Sequence, residues 1–172
     1  MPNRILSETL SIYRSADTAD RDAHCFAITP ILVADGTLSS PQAQMVADLD
    51  QALNDAEPTA TDLVLYRGCR PGELISGEPY LSFLSTSTEL MEALNFCDGC
   101  LVRFEMPRGS KILRAVPDGN DVATLEPNEH LIPRGMRFQL EECDFDEDEQ
   151  LRVSFANITN VRFLRAIPLS DG

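Results

Sequence analysis

The sequence predicts an α+β fold, with helices leading and a mostly antiparallel set of strands following. Three observations carry this reading. The apolar period is helical through the first sixty residues, it changes to two after Pro58, and the strands that follow are joined by short turns with no repeating strand-helix-strand unit. At 172 residues the chain has the size of one domain, and a chain of that size buries about 70% of the surface its unfolded form exposes. We expect residues 1–172 to form a single unit, with a helical part over 1–60 and a β core over 61–168.

Ile5, Leu6, Leu10 and Tyr13 recur at helical spacing, and turn residues follow at Thr29-Pro30 and Asp35-Gly36. Ser40 suits an N-cap and Pro41 the first helical position. Val46, Leu49 and Leu53 then form one apolar stripe before Pro58 closes the segment. Beyond it, Val102 to Met106, Met136 to Leu140 and Leu151 to Phe155 alternate apolar with polar, as half-buried strands do. Further strands are expected at 62–67, 80–85, 111–115, 129–133 and 160–167, with turns at Pro107-Arg108-Gly109 and Pro117-Asp118-Gly119. A short helix capped by Thr88 is expected over Glu89 to Phe96. Between two of the strands, Glu141 to Glu149 holds seven acids in nine residues, which reads as a solvated hairpin tip. Its Asp144-x-Asp146-x-Asp148 core has the opening of a calcium loop. However, Glu149 stands where that loop needs glycine and Phe155 where it needs a bidentate glutamate.

Apolar residues make up 43% of the chain and charged residues 24%, ordinary values for a folded domain. The net charge of −14 argues against nucleic acid and anionic membranes as partners, because both are bound through Lys and Arg patches. Cys25, Cys69, Cys97, Cys100 and Cys143 form an odd set without a secreted-scaffold spacing, and we expect reduced thiols. Cys97-Asp98-Gly99-Cys100 lacks the second Cys or His pair of a zinc site, the only histidines being His24 and His130, so no metal is expected. The N-terminal stretch Met1 to Ala16 has no apolar core of signal-peptide length. Action in a cytosol is expected, by way of a route without a cleavable signal if the protein is exported.

Neither GxGxxG nor a Gly-rich loop ending in Lys-Ser or Lys-Thr occurs, and serine-hydrolase and zinc-protease patterns are missing. Three segments remain: Leu63-Val64-Leu65-Tyr66-Arg67-Gly68, then Phe83-Leu84-Ser85-Thr86-Ser87, then Asn128-Glu129-His130-Leu131-Ile132-Pro133-Arg134-Gly135. Singly each has an ordinary reading: a strand-end surface charge, a helix-capping stretch, a solvated strand carboxylate. Their order and spacing together resemble the R-S-E signature of mono-ADP-ribosyltransferases, the cholera-toxin-like and clostridial C3-like group. The resemblance covers about residues 61–167.

That resemblance implies a mostly antiparallel two-sheet core. It also implies an enzyme that cleaves the nicotinamide–ribose bond of NAD and passes ADP-ribose to a side chain of a target protein, as bacterial or phage effectors and toxins do. NAD is then a substrate. Arg67 would hold its pyrophosphate through a planar fork of donors, and Gly68 would let the backbone approach the nicotinamide amide. Glu129 would bind a ribose hydroxyl and stabilise the oxocarbenium-like ribose, more in the transition state than in the ground state. Ser85 would orient Glu129 and brace the same ribose, and Thr86 and Ser87, counted with it in the NAD site, would support the fold of that strand. Tyr66, Phe83, Phe96 and Phe104 are the candidates for stacking on a ring, with Phe83 assigned to the NAD site. Relatives often carry Glu or Gln two residues before the catalytic Glu, where Pro127 stands here behind Glu126. Acceptor recognition is expected at Glu126, Pro127 and Asn128, within the loop ending there. The acceptor group stays open among a hydroxyl, an amide and an arginine engaged by Glu126. Targets in the family include small GTPases, ubiquitin and actin. The rival readings are an NAD glycohydrolase and a catalytically silent acidic module that binds a basic protein.

Overall fold

The computed structural model describes Tyr13, residues 24–114 and residues 128–170. The helical stretch at Ile5, Leu6 and Leu10 and the turn at Pro117-Asp118-Gly119 lie outside them, as do Glu126 and Pro127.

Helix α1 (Cys25–Val33) starts at His24, whose ring Nδ1 accepts from the Phe26 N–H at 3.1 Å. Thr29-Pro30, expected as a turn, lies inside this helix. Proline removes one donor, the one that would have reached the carbonyl four residues back in the first turn, and the apolar burial of Ile28 and Leu32 outweighs that loss. Asp35 does turn the chain, with φ of 51°. Helix α2 (Ser40–Asp55) is capped one residue earlier than expected, at Ser39, because Gln42 Oε1 reaches back to the Ser39 N–H at 2.9 Å. It buries Met45, Val46, Leu49 and Leu53 in one stripe. Full burial of one such side chain stabilises by about 1.5–3 kcal/mol.

The strands are β1 (Leu63–Cys69), β2 (Leu84–Ser87), β3 (Cys100–Met106), β4 (Leu113–Arg114), β5 (Glu129–Ile132), β6 (Phe138–Glu142) and β7 (Arg162–Pro168). Helix α3 (Leu90–Leu94) follows β2, and α4 (Glu147–Phe155) lies between β6 and β7. Among the described residues the strand order is β4-β5-β2-β1-β3-β7-β6, and only β3 and β7 run parallel. The expected pair of sheets is here one continuous hydrogen-bonded sheet of seven strands. Its seam is thin, since the single registered pair Tyr66↔Ser87 joins β1 to β2.

The largest departure from expectation lies at the acidic run. Leu151 to Phe155 form the second half of α4 instead of a strand, and the acidic run is not a hairpin tip. Asp146 caps the helix, its carboxylate accepting from the Glu149 N–H at 2.8 Å while Glu149 returns an oxygen to the Asp146 N–H at 2.9 Å. Glu147, Asp148 and Glu149 sit in the first turn, where the helix dipole favours carboxylates. The alternation of Leu151, Val153 and Phe155 is misleading because only Val153 is buried. Thr88 also yields its expected capping role: Ser87 Oγ accepts from the Glu89 N–H at 3.0 Å, and Glu89 is the N-cap of α3.

Three apolar clusters set the layers. Leu65, Leu84, Val102, Phe104, Ile132 and Ala166 pack on one face of the sheet. On the other, Leu131, Leu113 and Phe83 pack against α1 and α2, while Leu101, Phe145 and Val153 pack with Leu90 and Leu94 of α3. Register carries this second face across the seam. Ser85 pairs with Leu131, Ser87 with Glu129 and Tyr66 with Ser87, so these side chains share a face. The α1–α2 pair covers one half of it and α3–α4 the other, and the cleft between them opens over the β1–β2 seam.

Candidate active site

A cavity of about 630 Å³ occupies that cleft, a size typical of small-molecule pockets, which run about 300–1,000 Å³. Arg67, Gly68, Phe83, Ser85, Thr86, Ser87 and Glu129 all line it. Residues 62 positions apart in sequence, Arg67 and Glu129, are brought together because β1 and β5 both flank β2.

Arg67 donates from Nη1 to the Ser85 carbonyl at 2.9 Å, which bridges the seam, and from Nε and Nη2 to Glu73 Oε1 at 3.3 and 2.7 Å. Burial pulls the guanidinium pKa down, and Glu73 more than offsets this, so Arg67 is held above its ordinary value. The residue is thus a fixed cation with a carboxylate already beside it. No sequence pattern points to Glu73. It lies in the turn after β1 and carries no motif.

Gly68 has a reason to be glycine within the fold itself, beside the one expected. A Cβ there would stand 2.2 Å from the Ala93 carbonyl oxygen and 2.5 Å from the Cys97 nitrogen, so the missing side chain lets the end of α3 sit directly on β1. Its close contact is with the protein's own backbone.

Thr86 is buried and donates to the His130 carbonyl at 2.8 Å, locking β2 to β5. His130 is buried as well. Its Nδ1 lies 2.8 Å from the Asn128 carbonyl, which can only accept, so the ring proton sits on Nδ1. Burial pushes its pKa below the ordinary value, which keeps the imidazole neutral at pH 7. Ser87 Oγ donates to Glu92 Oε2, and Asn128 Nδ2 donates to Glu92 Oε1 at 3.0 Å. Asn128, expected to meet an acceptor, therefore has its amide turned to Glu92. Glu92 itself lines the cavity.

Of the four aromatic candidates, Phe104 is fully buried on the opposite face and does not line the cavity. Phe83 lines it but packs edge-on against Tyr13, with ring centroids 5.9 Å apart. Tyr66 is half-buried and donates from its hydroxyl to Glu149 Oε1 at 2.7 Å; burial and this carboxylate both raise its pKa. Phe96 is 67% exposed at the rim, and Phe26 of α1, 73% exposed, is a cavity residue that the sequence did not disclose. A bound ring has these two exposed faces to stack on. The set of a fixed cation, hydroxyls, carboxylates and exposed aromatic faces suits a ligand with an anionic group, sugars and a flat ring.

No protein-family model matches the chain, and no curated protein does. Solved structures do. Exoenzyme S from Pseudomonas aeruginosa, in complex with human 14-3-3 protein beta and bound to carba-NAD, matches with a TM-score of 0.65 at 15% identity, over 97% of this chain and 74% of that one. The C3 exoenzyme of Clostridium limosum matches at 0.64 and 16%, over 98% and 86%. A C3 enzyme of S. aureus with NAD matches at 0.62 and 14%, over 96% and 87%. At these identities the likeness is one of fold. The α+β fold of this chain is the fold of ADP-ribosylating toxins and exoenzymes.

Proposed function

We propose that this chain is a mono-ADP-ribosyltransferase that uses NAD as donor and a protein side chain as acceptor. The observation that carries the reading is that Arg67, Ser85 and Glu129, singled out from the sequence by their order, line one cavity in the fold of ADP-ribosylating toxins. Neighbours of that fold hold NAD or carba-NAD.

The geometry supports the following roles. Arg67 meets the pyrophosphate as the phosphate displaces part of its contact with Glu73, while its Nη1 bond to Ser85 keeps the guanidinium in place. Ser85 and Glu129 lie on the same sheet face, and Glu129 stabilises positive charge developing on the ribose as the C–N bond breaks. Nicotinamide leaves neutral with the bonding electron pair, so the departure requires no general acid. The acceptor then forms the new bond at the anomeric carbon and loses its proton. The Gly68 backbone and the exposed rings of Phe26 and Phe96 border the place for the nicotinamide and adenine rings.

Acceptor identity is read in the same experiment that tests the reaction. Purified chain is incubated with NAD labelled in its ADP-ribose part, with and without a cell lysate, and nicotinamide release is followed. Label on a protein band supports transfer, and mass spectrometry of that band names the residue. Nicotinamide release with label only in free ADP-ribose would make the chain a glycohydrolase, as the proline at position 127 leaves open. No release at all would overturn the enzyme reading and leave a silent acidic module. A bacterial or phage effector acting in the cytosol of a target cell, on a host protein such as a small GTPase, ubiquitin or actin, is the setting this reading implies.

A further inference from the structure

Glu92 is one of four carboxylates among the described residues that line the cavity, with Glu73, Asp98 and Glu129, and the roles above do not use it. It is half-buried on α3, four residues before the exposed Phe96, and each of its oxygens has a specific donor. Oε2 takes the Ser87 hydroxyl proton and Oε1 takes Asn128 Nδ2 at 3.0 Å. Both donors adjoin Glu129: Ser87 is its registered partner across the β2–β5 ladder, and Asn128 precedes it in the chain. The Asn128 carbonyl is held from two further sides, by the Thr88 N–H at 3.0 Å and by His130 Nδ1 at 2.8 Å.

Position 127, immediately before Asn128, is a proline with no side-chain donor or acceptor. We propose, building on the functional reading above, that Glu92 is a positioning residue for Glu129: it clamps Ser87 to Asn128 and so fixes where the strand bearing Glu129 begins. Charge-assisted hydrogen bonds are the strong class. A carboxylate that stabilises charge without reorganising must be held before the reaction starts, and a misplacement of about 1 Å can cost about a hundredfold in rate. Glu92 thereby does from α3 what no side chain at position 127 can do.

The test compares Glu92→Ala and Glu92→Gln with the parent chain, by steady-state nicotinamide release and by amide hydrogen exchange. Glu92→Ala is expected to lower kcat by about ten- to a hundredfold with the KM for NAD little changed and the far-UV spectrum retained. Glu92→Gln keeps an acceptor for Asn128 and an amide that can donate to Ser87 Oγ, so it is expected to recover most of the lost kcat. Exchange at the Thr88 amide should rise in Glu92→Ala while exchange along β3 stays as in the parent. A kcat unchanged in Glu92→Ala, or unaltered Thr88 exchange, overturns the proposal. So does a rise in exchange across the whole sheet, which would make Glu92 a general stability residue. If the parent releases no nicotinamide, the functional reading has failed, and the exchange measurement alone then decides whether Glu92 is the clamp.

Discussion

Glu129→Gln changes one atom and removes one charge, so the fold and the cavity should persist. Turnover is expected to fall by at least about a hundredfold, the loss seen when one preorganised electrostatic stabiliser is deleted, and a turnover within a few-fold of the parent would remove Glu129 from the mechanism. Arg67→Ala should act on binding as well as rate, because the phosphate contact proposed for it would be made in the ground state. A charge-assisted bond of this kind contributes about 1.5–3 kcal/mol, part of which Glu73 already claims in the free protein, so calorimetric titration with NAD is expected to read near the lower end. His130 gives a pH signature. Its pKa is depressed by burial, so the unfolded chain binds more protons, and stability falls as pH drops below the unfolded value of about 6.5. Thermal midpoints measured from pH 8 to pH 5 (about the range over which histidine titrates) should decline less in His130→Gln than in the parent; parallel curves would refute this. At this scale Arg67, Ser85 and Glu129 were legible because each sits in a patterned segment. Glu73, Glu92 and Phe26 were not, because each enters the site through tertiary packing: Phe26 on a helix that the pattern broke at Pro30, Glu73 through a turn, and Glu92 by contacts made across strands.

Among the elements, most strands stand within a few residues of where period-two alternation puts them, and the α2 stripe is buried as its spacing requires. The failure at α4 is instructive. Leu151-Arg152-Val153-Ser154-Phe155 satisfies a strand pattern, but Asp146 and Glu149, three apart and ahead of it, form a capping box that the density of acids concealed. Local helix-start chemistry therefore outweighed a short alternation, and Leu151 and Phe155 stay exposed as a consequence. Asp146→Ala should destabilise the protein by about 0.5–2 kcal/mol, read as a lowered denaturation midpoint with an unchanged m-value. Asp148, exposed and paired with Arg152 at 3.0 Å four residues on, is the control. Its removal should cost about 0.3–0.5 kcal/mol, and an Asp146 effect no larger than that would mean the box is dispensable. The same helix reaches the cavity, because Glu149 accepts from Tyr66 and is paired with Arg103 at 3.2 Å. Loosening α4 should thus be felt at Tyr66.

On the scale of the whole molecule the dominant property is charge, −14 over 172 residues. The acidic run looks in sequence like a concentrated, solvated tip, but the fold disperses it. Glu141 pairs with Arg165 at 2.8 Å, Glu142 with Arg162 at 2.7 Å and Asp148 with Arg152, while Asp146 and Glu149 serve the helix start. Long-range attraction for a basic acceptor is then a property of the entire surface, with the run contributing one share. Steering of this kind weakens with salt, since the Debye length shrinks from about 10 Å at 0.1 M to about 3 Å at 1 M. We therefore expect transfer to a basic protein acceptor to slow as ionic strength rises, and NAD hydrolysis without acceptor to slow much less. Neutralising the exposed Asp144 and Glu147 to their amides, which spares the cap and the paired acids, should reduce the salt sensitivity of transfer only slightly. A large reduction would restore the run as a dedicated docking element. Equal salt sensitivity of the two reactions would instead show that net charge plays no part in acceptor encounter, leaving it a matter of contacts around the cavity mouth.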